Sequence, residues 1–143
     1  MRIMVLVKAS KGSEAGEMPS TEFLEAMGAF NERLVAARVI ADGDGFKPSS
    51  AAVRVTLGGD QPTVEQGPFA PAEELVAGYW IWNVESLDDA IEWAKQAPSP
   101  GPGLSPEVLE LRPFVEIEDF GDAITPALIE RENRLRAAIE GDG

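Results

Sequence analysis

An α+β domain, with two helices on one face of an antiparallel sheet, is the fold class this sequence predicts. Three observations carry the prediction. Short runs of alternating apolar residues recur along the chain. Two longer segments between them carry apolar residues at helical spacing. The order of these segments is strand, helix, strand, hairpin, helix, strand.

The first strand is Arg2 to Lys8. Ile3, Val5 and Val7 lie on one side and Met4 and Leu6 on the other, so both faces of the strand are expected to be covered. "ASKGSEAGEMP" reads as a polar loop. A helix begins after Pro19 with Ser20 as N-cap, and Phe23, Met27, Phe30, Leu34 and Ala37 recur at steps of three and four as its packing stripe. Val39 to Ala41 is a short strand running into "DGDG", Asp42 to Gly45, which reads as a turn.

Ala52 to Leu57 alternates, and "GGD" can fold it back on Pro62 to Glu65 as a hairpin. Gly78 to Val84 is the most apolar strand, with Trp80, Trp82 and Val84 opposed to Tyr79, Ile81 and Asn83. Ser86 then caps a second helix, "SLDDAIEWAKQA", in which Leu87, Ala90, Ile91 and Ala94 form the stripe with Trp93 at its edge. Pro98 to Pro106 is a Pro/Gly-rich loop. Val108 to Arg112 is the last strand, setting Leu109 and Leu111 against Glu110 and Arg112. A final helix starts at Thr125 with Pro126 in its first turn and carries a narrow stripe of Leu128, Leu135 and Ile139.

This is the βαββαβ order of a ferredoxin-like sheet with helices on one face. Residues 1–120 are read as that domain and 121–143 as a C-terminal helical extension of it. The sheet's second face carries apolar residues too. A second copy of the chain covering that face is the expected solution, so a homodimer is predicted.

Composition bounds the function. The chain has 143 residues, long enough for one domain, with no cysteine and no histidine. Ser–His and Cys–His nucleophile systems are therefore excluded, and any proton transfer falls to a carboxylate, a lysine or the tyrosine. A net charge of −13 argues against nucleic acid and against anionic membranes as partners. "MRIMVLVK" has too short an apolar run for a signal peptide, and a cytoplasmic protein is expected. No cofactor or metal is expected. The acids of "DGDG" do not continue as a calcium loop, because Phe46 and Lys47 follow, and Glu116, Glu118, Asp119 and Asp122 read as a solvated segment.

"QGPFAPAEELVAGYWIWNVESLDDAIEWAKQAP" followed by "VLELRPF" resembles the YCII-related family in its DGPF-domain form, and "MVLVKAS" and "VIADGDGFKPSSAAVRV" fit the same pattern. The resemblance runs from about Met1 to Phe120. It implies a dimeric α+β barrel of ferredoxin-like subunits. Some relatives are encoded beside sigma factors that respond to extracellular signals. In the wider family a histidine and an aspartate are proposed as a working pair. This chain has no histidine, and Gln66 stands where the family motif has aspartate.

Phe69, Tyr79, Glu110 and Arg112 are the candidate site residues. Gly67-Pro68-Phe69 is a rigid turn whose aromatic can anchor a loop or rim a pocket. Arg112 can hold a ligand carboxylate as a fork, with Tyr79 donating a hydrogen bond; the plainer use of Arg112 is an ion pair with Glu110 or another acid. Trp80, Trp82 and Trp93 could stack a ligand, although packing is the commoner use of such side chains. The expectation is a non-catalytic small-molecule-binding or interaction module, accessory to a signalling or transcription system, with a small-molecule or protein partner. The alternative is a cofactor-independent enzyme acting on a small aromatic or carboxylated compound through Tyr79 or a carboxylate such as Glu110.

Overall fold

The computed structural model describes residues 1–99 and 107–141. Six strands are present among them: β1 (Arg2–Lys8), β2 (Ile40–Gly45), β3 (Val53–Thr56), β4 (Thr63–Gln66), β5 (Val76–Asn83) and β6 (Leu109–Pro113). The helices are α1 (Lys11–Glu14), α2 (Thr21–Ala36), α3 (Leu87–Ala94) and α4 (Pro126–Gly141). By compactness the chain divides into Met1–Pro113 and Phe114–Gly143.

In the first unit, β2, β5, β1 and β6 form one antiparallel sheet in that order. β3 and β4 pair only with each other, as a hairpin inserted between β2 and β5. With the inserted hairpin set aside, β1, α2, β2, β5, α3 and β6 reproduce the ferredoxin-like order. Register sorts the side chains. Val5 lies opposite both Trp80 and Leu111, and Ile3 opposite Trp82 and Pro113, so these share one face with Val7 and Leu109. Met4 lies opposite Ile81 and Arg112, and Leu6 opposite Tyr79 and Glu110, so these share the other.

The helices cover the first face. Phe30 and Leu34 of α2 and Ala90 of α3 join Ile3, Val5, Trp80 and Trp82 in one buried core. The Phe30 ring meets Trp80, Trp82 and Trp93 edge-on, with centroids 5.8, 6.3 and 6.4 Å away. That geometry suits the quadrupoles of aromatic rings and adds to the area they bury. Trp80 donates its indole N–H to Asn31 Oδ1 at 2.9 Å. Trp82 is fully buried, and its Nε1 has no partner among the described residues. Such a group costs about 1–3 kcal/mol, which dispersion and area at this wide ring system outweigh.

Ser20 Oγ accepts from the Phe23 N–H at 3.1 Å, so α2 begins where its cap predicts. It ends in a Schellman arrangement, Val39 N–H to Leu34 O and Arg38 N–H to Val35 O, with Arg38 at φ 60° in place of the usual glycine. Ser86 caps α3 through the Asp89 N–H. Only the centre of the expected α3 stripe is fully covered: Ala90 is buried, while Leu87 and Ile91 stay more than a third exposed. The helix also stops at Ala94 instead of running on to Ala97.

Two segments differ from their sequence reading. The polar stretch after β1 contains α1, nucleated by a reciprocal pair in which the Ser13 N–H donates to Ser10 Oγ and the Ser10 N–H to Ser13 Oγ. "DGDG" is not a turn but the body of β2. Its glycines let the edge strand lie close over β5, where a Cβ on Gly43 would sit 2.7 Å from the Trp80 ring. The reading of Pro98 to Pro106 as loop falls on residues 100–106, which lie outside the described residues, apart from its edges; Pro98 and Ser99 have no regular structure.

The second unit holds α4 and, within Ile117–Ala123, short 3-10 turns interrupted at Gly121, whose φ is 56°, in the acidic stretch that reads from sequence as solvated. The Glu116 N–H donates to Asp119 Oδ2 at 2.8 Å, and the Leu128 N–H to Thr125 Oγ1 at 3.2 Å, so each element has a side-chain cap. Leu128, Leu135 and Ile139 of the α4 stripe are all exposed. No described helix is long and apolar enough to cross a membrane.

Candidate functional site

The sheet face away from α2 and α3 carries the greater part of the candidate residues. Cross-strand pairing gives two rows on it: Asp44, Tyr79, Leu6 and Glu110, then Ile81, Met4 and Arg112, with Asp42 beside Ile81 on β2. Met4, Leu6, Tyr79 and Ile81 are half-buried, whereas Glu110, Arg112, Asp42 and Asp44 are exposed at the two edges. The face is thus an apolar centre with acids along β2 and a mixed pair along β6.

Tyr79 donates its phenol O–H to Asp42 Oδ2 at 3.1 Å, and the Phe46 ring lies 5.7 Å from its ring. The hydrogen bond to Asp42 holds the phenol above its ordinary pKa; burial and the charges of Asp42 and Asp44 push the same way. Tyr79 therefore keeps its proton at neutrality, with the O–H directed at Asp42. Arg112 makes no ion pair among the described residues, so the pairing with Glu110 anticipated from sequence does not form within one chain. From Tyr79, Arg112 lies two strands across, roughly 10 Å, and two residues along, roughly 7 Å. Side chains of that length can bracket a small molecule between them.

Phe69 is held elsewhere. Gly67–Pro68 and Ala70–Pro71 are cis peptides on either side of it. The Arg54 guanidinium lies 3.9 Å over its ring centroid, a cation–π stack. Its N–H donates to Ser49 Oγ at 2.9 Å, while Ser49 in turn donates to Glu14 through its N–H, at 2.8 Å, and through its hydroxyl. Gly67 donates its N–H to Ala52 O at 2.9 Å, and a Cβ there would lie 1.8 Å from Ser49 O. No side chain larger than hydrogen fits. The Gly-Pro-Phe loop is thus a clasp joining α1, residues 49–52 and the hairpin. No hydrogen bond or ring contact ties Phe69 to the Tyr79–Arg112 face among the described residues. Gln66 sits in β4 opposite Val53 and is exposed.

Sequence reasoning missed Glu14 and Ser49, which form the clasp, and Glu107, whose carboxyl burial pushes above its ordinary value. Glu14 and Ser49 lie 35 positions apart in a polar, Gly/Ser-rich context with no periodic signal. The described residues contain no group of three or more acids placed to hold a metal ion.

A four-stranded antiparallel sheet in the order β2-β5-β1-β6, backed by two helices, defines a ferredoxin-like α+β protein. A family model described as the YCII-related domain matches residues 1–115, and the chain belongs to that family. No curated protein matches it. Among solved structures it is similar to the 5-chloro-2-hydroxyhydroquinone dehydrochlorinase TftG from Burkholderia phenoliruptrix, in complex with 2,5-dihydroxybenzoquinone. The two share 19% identity over 82% of this chain and 97% of that one, with a TM-score of 0.46.

Proposed function

We propose that this chain is a homodimeric, non-catalytic binding module whose two open sheet faces meet and hold a small carboxylated or aromatic molecule between them. The observation that carries the reading is the face itself: Met4, Leu6 and Ile81 at its centre, Tyr79 and Arg112 on either side of them. Half-buried apolar residues ringed by charge are the anatomy of a protein interface. Arg112, which makes no ion pair among the described residues, brings a guanidinium for a carboxylate, and Tyr79 brings a phenol whose O–H can turn from Asp42 to the ligand. Tyr79 itself is no base here, because its O–H is held by Asp42 and its pKa is raised. An accessory role beside a signalling or transcription system, in the cytoplasm, is the setting attached to this reading.

A thermal-shift screen of the full chain against small carboxylates, phenols and nucleotides tests it. A ligand at about 100 times its Kd adds about 2.7 kcal/mol, a shift of several degrees. The expected result is a carboxylate or phenol whose shift is lost in Arg112→Ala and reduced in Tyr79→Phe. A panel with no hit, or a hit unchanged in both variants, would sink this site assignment. A hit that is consumed on incubation would favour the cofactor-independent enzyme instead.

A further inference from the structure

A separate feature lies on the helix side of the sheet, away from the face just described. Between α3, β6 and the middle of α2, Met27, Trp80, Ile91, Leu109 and Leu111 line a cavity of about 380 Å³. That volume is within the usual range for small-molecule sites, and walls of this kind hold the apolar part of a ligand. Trp80 has already committed its indole N–H to Asn31, so toward the cavity it offers apolar and π surface only.

Two charged residues border the same space, Lys95 and Glu107. The Lys95 ammonium lies 3.0 Å from Glu92 Oε1, and both side chains are about two-thirds exposed, at 66% and 69%. Its charge is thus already matched and faces water. Glu107 has no hydrogen-bond or ion-pair partner among the described residues, and its carboxyl is half-buried. A partly desolvated carboxylate gains most from a cation that brings its own hydrogen-bond donors. An anionic ligand would meet this carboxylate and a net charge of −13, whereas a neutral one would leave the carboxylate unmatched.

We propose that the cavity between α3 and β6 binds a small primary amine with an apolar body. The ammonium sits on Glu107, and the body lies against Trp80, Met27 and the two leucines of β6. Nothing in this site is shared with Tyr79 or Arg112.

The test is a titration of the full chain, followed by ¹H–¹⁵N NMR, with phenethylamine as probe and with 2-phenylethanol and 3-phenylpropionate as matched neutral and anionic controls. The amine is expected to shift the Trp80 indole and the Leu109 and Leu111 amides and to bind roughly tenfold more tightly than either control. Glu107→Gln should remove that preference while leaving the dispersion of the spectrum intact. Ile91→Trp, at a position already partly exposed, should narrow the cavity and weaken amine and alcohol together. Three results would overturn the proposal. They are amine binding that leaves these resonances unmoved, a preference that survives Glu107→Gln, and no saturable binding of the amine by the native chain.

Discussion

The two faces of the four-stranded sheet are built from alternate residues of the same strands, yet they end in different states. Toward the helices, Ile3, Val5 and Trp82 are fully buried and Trp80 nearly so. Toward the other side, Met4, Leu6, Tyr79 and Ile81 remain half-buried in the single chain, bordered by exposed charges. The strands are as apolar on one side as on the other at their centre; what differs is the cover. An amphipathic strand would put polar residues on a face meant for water. The centre of the first face therefore serves stability, whereas the second face leaves its centre open to a partner or a ligand.

The largest expected effect removes the keystone of the covered face. Phe30 contacts all three tryptophans, and Phe30→Ala should cost about 3–5 kcal/mol in a urea or thermal melt. Leu6→Ala, on the other face of the same sheet, should cost less, roughly 1–2 kcal/mol in a dilute chain, because that side chain is only partly covered. Equal losses at the two positions would break the comparison and mean that the open face is covered within one chain.

The next effect concerns assembly. Leu6→Asp places a carboxylate at the centre of the open face, where a covering partner would have to desolvate it. Sedimentation equilibrium should show the native chain as a dimer and Leu6→Asp as a folded monomer. A native chain that stays monomeric, or a variant that still dimerises, would leave the apolar centre of this face without the use we give it.

How far these contrasts can be read from sequence depends on the range of the interactions involved. Period-two alternation in β1 and β5 sorts their residues into two sides, since the pleat alone decides which of them share one; which side the helices cover it does not say. The stripe Phe23, Met27, Phe30, Leu34 and the caps Ser20 and Ser86 are local signals and legible for the same reason, although Ala37, expected to close the stripe, is the exposed C-cap. "DGDG" misleads because its glycines suit a turn, while the strand they form is decided by the Trp80 ring across the sheet. The clasp of Glu14, Ser49 and Phe69 spans loops that carry no period. Arg38 hides the end of α2 by taking the left-handed position where glycine is the usual marker. Glu107 sits beside a Pro/Gly-rich stretch, so nothing in its neighbours announces that it will be half-buried. Of the four candidate site residues, Glu110 and Arg112 share a side of their strand by alternation, while only the register of β5, β1 and β6 puts Tyr79 on the same face. The position of Phe69 rests on contacts that alternation cannot reach.

Two glutamates sharpen the contrast further. Burial raises the carboxyl of Glu107 on the helix side, so the folded chain holds that proton to higher pH than the unfolded one. Its contribution to stability is therefore full below the ordinary carboxylate range and is lost as pH rises through the raised value. Glu107→Gln should raise the melting temperature at neutral pH, with the gain disappearing in acid. Glu110→Gln, at an exposed position on the other face, is the control for simply removing one negative charge from an acidic protein. The same gain in both variants would assign the effect to net charge and take burial out of the account.

The smallest effect is also the cleanest to read, because Tyr79 is the single tyrosine of the chain. Its phenolate absorbance therefore reports one position on the open face without interference from another phenol. The hydrogen bond to Asp42 is the leading cause of its raised pKa, ahead of burial and of the charges of Asp42 and Asp44. Asp42→Asn removes the charge and weakens the acceptor, so the titration midpoint should move down toward the ordinary tyrosine value. Asp44→Asn should move it less. The raised value also sets the sign for stability: the Tyr79–Asp42 bond contributes fully below the unfolded-state pKa and is lost as pH climbs through the folded one. If a carboxylate ligand binds Arg112 and recruits Tyr79 as a donor, it should raise the midpoint again in Asp42→Asn, because a second anion then replaces the one removed. A midpoint indifferent to both substitutions would mean that water, not Asp42, solvates the phenol. The acidic edge of the open face would then have no part in holding the side chain that the binding reading depends on.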